Sequence, residues 1–167
     1  VFMFNHGLNN WLPEILKTHN MSNIHAGYWA AFPTIIGIAG SLIIPRLATP
    51  ERRIFILLAL SVTALLASVL LRFNDTSLLF SGLFLQGIAK SSLMTVLILT
   101  IVELPEIGEK YAGIASGIFF SAAEIGGMLG PLFLGLLYNP ATGFSSGLTL
   151  LSCLSMVMIM GSLTLRK

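Results

Sequence analysis

Residues 77–102 read SLLFSGLFLQGIAKSSLMTVLILTIV, a run in which Lys90 is the only charged side chain. As an α-helix this stretch is about 39 Å long at ~1.5 Å per residue, and the hydrocarbon core of a bilayer is ~30 Å thick. Its apolar residues are continuous and do not alternate with a period of two, which favours a spanning helix over a barrel strand. A backbone in hydrocarbon must satisfy its own N–H and C=O groups, and a helix does so within one segment.

Five more runs of the same kind flank it, so the helices fall at about 1–16, 25–45, 54–71, 77–102, 111–138 and 144–165. Short connectors with turn or helix-start chemistry separate them: Thr18-His19-Asn20, Thr49-Pro50-Glu51, Asn74-Asp75-Thr76, Pro105-Glu106-Ile107-Gly108 and Asn139-Pro140. The fold class is therefore all-α: a polytopic membrane protein with six transmembrane helices.

Composition agrees. Hydrophobic residues make up 55% of the 167, charged residues 10%, and mean hydropathy is +0.89. A soluble domain carries roughly 25% charged residues; this chain has too few to cover a core with polar surface, so its main partner is the lipid bilayer. Nine Lys and Arg residues are too scattered for a nucleic-acid footprint. The lone Cys153 excludes a disulfide framework and a Cys-based metal site, and reads as a buried structural thiol. No His/Glu metal cluster, Gly-x-Ser-x-Gly or paired carboxylates on one helix support an intramembrane enzyme, and no metal or cofactor is expected.

The first segment opens at Val1-Phe2-Met3-Phe4, without the basic n-region of a signal peptide. It starts inside an apolar run, and upstream sequence is expected before it. Connectors alternate sides of the membrane. One side collects Arg46, Arg52, Arg53, Lys110, Arg166 and Lys167; the other collects Lys17 and Arg72. The positive-inside rule then places the C-terminus in the cytoplasm of a multi-pass protein of the cell membrane.

Polar groups mark three of the helices. The first carries Asn5, His6, Asn9 and Asn10, the fourth Gln86 and Lys90, and the fifth Glu124. The third and sixth hold only Ser, Thr and Cys153 among aliphatics, and are expected to face lipid on most sides. A charge at the bilayer centre costs ~2.5–3.5 kcal/mol on insertion scales and usually faces a cavity or a partner. Lys90 sits mid-helix with Gln86 one turn before it, so both can point into one cavity and contact a solute. A Lys that snorkels, or pairs structurally with Glu124 as the nearest partner by depth, is the alternative. Glu124 is a candidate for proton coupling, with a fixed counter-ion as the other reading. Asn5 and Asn9 are candidates to line the pathway opposite Lys90, or else to glue helices together. His6 reads as a packed residue, and His19 and His25 as interfacial ones. Pro13 frees a carbonyl one turn earlier and should weaken the first helix near Asn9.

Gly113-x-x-x-Gly117 and Gly126-x-x-x-Gly130 place small residues one turn apart for close helix approach, with Gly37 and Gly40 on the second helix. Pro131 adds a kink point.

The stretch from Ala112-Gly113-Ile114-Ala115-Ser116-Gly117 through Gly126-Gly127-Met128-Leu129-Gly130-Pro131 to Asn139-Pro140-Ala141-Thr142-Gly143 resembles the eleventh helix of the major facilitator superfamily. GSLIIPRLATPERR, residues 40–53, takes the place of that family's basic loop after helix eight, in degenerate form. HGLNNWLPEIL, residues 6–16, is similar to helix seven of the cyanate-permease-like and related anion-transporter branches. The resemblance implies that the chain is helices seven to twelve, the C-terminal half of a twelve-helix transporter, with an N-terminal six-helix half as its missing partner. It also implies alternating access by rocking, with helices seven and ten lining the cavity, eight and eleven meeting the other half, and nine and twelve facing lipid. Secondary active transport of a small solute, an anion by the charge of Lys90, is the expected function, and such a fragment should be inactive alone. A transporter-like sensor or non-transporting partner protein is the alternative.

Overall fold

The computed structural model describes residues 1–104 and 107–165. Six helices follow one another: α1 (Phe2–Thr18), α2 (Asn23–Leu47), α3 (Arg53–Leu70), α4 (Thr76–Val102), α5 (Gly108–Leu136) and α6 (Ser145–Thr164). No β-strand occurs among the described residues. Pro105 and Glu106 of the fourth connector, and Arg166 and Lys167 of the orientation argument, lie outside them.

Helices α2 to α6 are long and apolar enough to cross a membrane. With 17 residues, α1 is at the short limit of ~17–25 for a span. The boundaries fall where local chemistry stops or starts a helix. Asp75 caps α4 by accepting the Leu78 N–H at 3.0 Å, and Ser22 caps α2 through the His25 N–H at 3.3 Å. Asn20 closes the first connector with φ 63°, a left-handed conformation that Asn tolerates. Gly143 does the same in the last connector with φ 60°, where Asn139 and Gly143 bridge a tight turn.

Helix α4 packs along both α2 and α3, α1 packs along α5, and α3 packs along α6. Lipid tails are as apolar as leucine, so close backbone approach and packing contacts hold such helices together. Two glycines make the tightest approaches. A Cβ on Gly87 would stand 2.6 Å from the Pro33 carbonyl oxygen, which seals α4 on α2. One on Gly130 would overlap the Met3 carbonyl oxygen and lie 3.0 Å from the Gly7 nitrogen, which seals α5 on α1. Gly126 faces Met3 in the same seam, whereas Gly113 and Gly117 meet nothing within 4 Å. Of the two expected glycine pairs, only the second packs inside this bundle.

Helix α1 continues through Pro13, where the sequence suggested a weakened helix, and Pro131 lies inside α5. At the α1–α5 seam the Trp11 indole N–H donates to the Pro131 carbonyl at 2.8 Å and ties the two proline-bearing turns together. Other expectations change. Helix α3 is the most covered of the long apolar helices, not one that faces lipid on most sides. Its Ser61 and Ser68 are buried, as are Ser152, Ser155 and Ser162 of α6. Small hydroxyl-bearing residues let these two helices close on each other and return their O–H groups to carbonyls one turn back. Since Ser152 and Ser155 point inward, Cys153 is turned outward, and it is exposed instead of buried.

Candidate functional site

Lys90 stands at the middle of α4, and its ammonium group donates to the Asn9 Oδ1 at 2.7 Å and the Thr34 Oγ1 at 3.3 Å. Asn9 lies mid-way along α1 and Thr34 mid-way along α2, so three helices meet around one cation at the same depth. Asn9 and Thr34 are exposed and Lys90 is half-buried. The group therefore opens on the uncovered face of the bundle. No ion pair joins Lys90 to a carboxylate among the described residues, where the pairs are Lys17–Glu14 and Arg53–Glu103. Both partners of Lys90 are neutral oxygens.

Asn5 is placed differently. Its side-chain amide donates to the Lys90 carbonyl at 3.0 Å, and its own Oδ1 is buried without a partner. Asn5 thus ties α1 to the α4 backbone beneath the cation and does not line the opening. Gln86 also departs from the sequence reading. It is 1% exposed, with its Oε1 unpartnered, inside the bundle. One turn of helix separates it from Lys90, yet the α4 surface curves from the open face into the core over that turn.

Glu124 sits mid-way along α5 and is exposed, remote from any bond to Lys90. Its neighbour is His6 of α1, also exposed and stacked on Phe2. The Glu124 Oε2 and the His6 Cδ2 each lie 3.5 Å from the point that a Cβ of Gly127 would occupy. The missing side chain at Gly127 leaves room for both. Along the open face a polar belt then runs from Glu124 on α5 through His6 and Asn9 on α1 to Lys90 on α4 and Thr34 on α2.

Thr34 and Gly127 are the members that sequence reasoning passed over. Thr34 follows Pro33 near the centre of α2, and the depth argument applied to Lys90 would have found it. Gly127 carries no such signal, because its contribution is an absent side chain. No group of three or more His, Cys, Asp or Glu side chains that could hold a metal ion occurs among the described residues.

Six apolar helices carry a polar belt at mid-depth on one open face, and comparison with known proteins decides the family. Residues 1–167 match the Major Facilitator Superfamily. The chain belongs to the Major Facilitator Superfamily. It is similar to the "Quinolone resistance transporter" of Acinetobacter baumannii, with 32% identity over 93% of this chain and 36% of that protein. It is also similar to the "Uncharacterized transporter YycB" of Bacillus subtilis (strain 168), with 26% identity over 89% of this chain and 37% of that protein. The chain thus spans a little over a third of the length of these relatives. No solved structure matches it. A chain of this family is a multi-pass membrane protein, and the six-helix bundle has the fold of one half of a major facilitator protein.

Proposed function

We propose that this chain is the C-terminal half of a secondary active transporter in the cell membrane, with its C-terminus cytoplasmic, and that Lys90 binds an anionic solute there. A second six-helix half would cover the open face and complete the cavity, and the two would alternate access by rocking about the solute. One observation carries the reading. The mid-helix ammonium of Lys90 is held by the neutral oxygens of Asn9 and Thr34, on a face left open by the described residues. Two neutral acceptors orient a cation without neutralising it, and an anion entering this weakly polar cavity would supply the missing charge.

Glu124 fits the coupling role in this scheme. It shares the Gly127 niche with His6 and is not consumed as a counter-ion of Lys90. Glu124→Gln should abolish uptake driven by a proton gradient while leaving solute exchange at equilibrium intact; loss of both in equal measure would remove Glu124 from coupling.

The binding claim is tested on the full-length protein with a panel of small carboxylates and inorganic oxyanions, read as thermal stabilisation in detergent. At least one anion should stabilise the wild type in a saturable way, and Lys90→Gln should weaken its binding by about 10- to 100-fold, the range for one charge-assisted contact of ~1.5–3 kcal/mol. An equal response of Lys90→Gln and wild type to every stabilising anion would refute the assignment.

A further inference from the structure

A second cationic site lies at the opposite end of the molecule from Arg53, away from the polar belt. The ends of α1 and α3, the α5–α6 connector and the start of α6 line an open cavity of about 530 Å³. Its polar side chains include Arg72, His19, Asn74, Thr18, Thr142 and Ser145, and among the described residues no carboxylate lines it. Arg72 follows the last turn of α3, where an exposed arginine would ordinarily turn out to water. Here it turns inward. Its Nη2 donates to the Ser152 Oγ of α6 at 2.7 Å, and that hydroxyl is shared with the buried Ser68 of α3 at 2.8 Å. The Arg72 Nε is buried with no acceptor. No ion pair involves Arg72 among the described residues.

The wall around it is held in place. The His19 ring bridges the end of α1 to α3, with Nε2 donating to the Leu71 carbonyl at 3.1 Å and Nδ1 at 2.7 Å from the Asn74 Oδ1. The rim across the cavity is the Asn139–Gly143 turn, whose Ala141, Thr142 and Gly143 amides donate to Asn139 while the Asn139 amide donates to the Gly143 carbonyl. Arg72 thus lines a preformed hollow with its guanidinium partly desolvated, and among the described residues its side-chain acceptor is a serine hydroxyl at the wall between α3 and α6. A desolvated cation held by a neutral acceptor is costly unless an anion completes it. The planar guanidinium, with donors left over after Ser152, matches the oxygens of a phosphate group. The volume is that of a small-ligand pocket, in the range of ~300–1,000 Å³.

We infer that this cavity binds a phosphate group through Arg72, at the level where helix ends meet lipid headgroups. An anionic phospholipid headgroup and free inorganic phosphate share that chemistry. The Lys90 site is not involved, so this inference stands or falls independently of the proposed transport site.

The test uses the full-length protein with two probes. In nanodiscs, native mass spectrometry compares retention of phosphatidylglycerol with that of phosphatidylcholine. In detergent, thermal stabilisation by inorganic phosphate is compared with chloride at equal ionic strength. A lipid headgroup site predicts preferential retention of phosphatidylglycerol, and a free-anion site predicts a saturable phosphate shift. In either case Arg72→Gln should reduce the response by about tenfold or more, as for loss of one charge-assisted pair. Arg52→Gln, at the other end of the molecule, should leave it unchanged. Arg72→Lys keeps the charge but loses the fork, and should retain a weakened response even where Arg72→Gln fails to fold. The inference is overturned if wild type shows no preference for either probe, or if Arg72→Lys and Arg52→Gln respond alike.

Discussion

Arg53 and Lys90 show how differently this chain treats two cations. Arg53 opens α3 with only 7% of its surface exposed. It donates to the Glu103 carboxylate at 2.7 Å and to the Leu99 carbonyl at 3.3 Å, which fastens the start of α3 to the end of α4. Its Nε is buried without an acceptor, as in Arg72, but the carboxylate of Glu103 balances its charge, which gives the pair a structural task. Removing its acceptor charge would strand a buried guanidinium, so Glu103→Gln should lower stability by about 1–3 kcal/mol. Thermal unfolding of the purified protein would register this as a reduced midpoint, with solute binding unchanged. An unaltered midpoint would mean that water or lipid phosphate satisfies Arg53 equally well. Lys90, by contrast, has only the neutral oxygens of Asn9 and Thr34, and the difference between the two residues is the physical basis for assigning one to the scaffold and the other to a solute.

Among the elements, glycine position separates the helix seams from the open faces. Gly87 touches the Pro33 backbone closely enough that even a methyl group must displace α2 from α4. Gly87→Ala should cost about 1–3 kcal/mol, the usual range for overpacking. Gly161 of α6 meets nothing within 4 Å, and Gly161→Ala should leave the unfolding midpoint unchanged or raise it through better helix propensity. If the two substitutions shift the midpoint alike, the α2–α4 seam is not held by close approach at Gly87.

The same scale shows what the sequence made legible. Each apolar run became a helix because the hydrocarbon length and the backbone's need for internal hydrogen bonds leave few other choices. The facing of each helix was harder to read. Cys153 and Ser152 are adjacent in an apolar run, and only the packing of α6 on α3 decides which one is buried. Gln86 and Lys90 share a helical stripe, yet one lies in the core and the other at its edge. Pro13 and Pro131 both lie inside continuous helices, and the Trp11 bond that joins their turns is information absent from either helix alone. For the candidate site, the depth of Lys90, Asn9 and Glu124 could be read from their positions along their runs. The Thr34 contact and the Gly127 niche required the fold.

At the scale of the whole molecule, α2 and α5 leave most of their surface uncovered by this chain. Ile35, Ile38 and Leu42 on α2, and Ile114, Ile118 and Met128 on α5, are exposed. Gly113 and Gly117 lie on α5 with open space beside them. In the proposed transporter these two helices meet the other half, and the unused glycine pair serves that contact. Gly117→Leu should then leave the fold of this half intact, by circular dichroism and monodispersity, while reducing uptake by the full-length protein. Unchanged uptake would place Gly117 against lipid instead.

The central claim is that a mid-membrane lysine on the open face of this bundle binds the transported anion. Its most direct test is counterflow of an anion that stabilises the wild type, measured in proteoliposomes of the full-length protein and its Lys90→Gln and Lys90→Arg variants. Counterflow needs no driving gradient, so it isolates solute recognition from energy coupling. The account predicts loss of at least about 90% of counterflow in Lys90→Gln, as for a roughly tenfold or greater loss in binding, with partial activity in Lys90→Arg. Wild-type counterflow in a folded Lys90→Gln protein would contradict it.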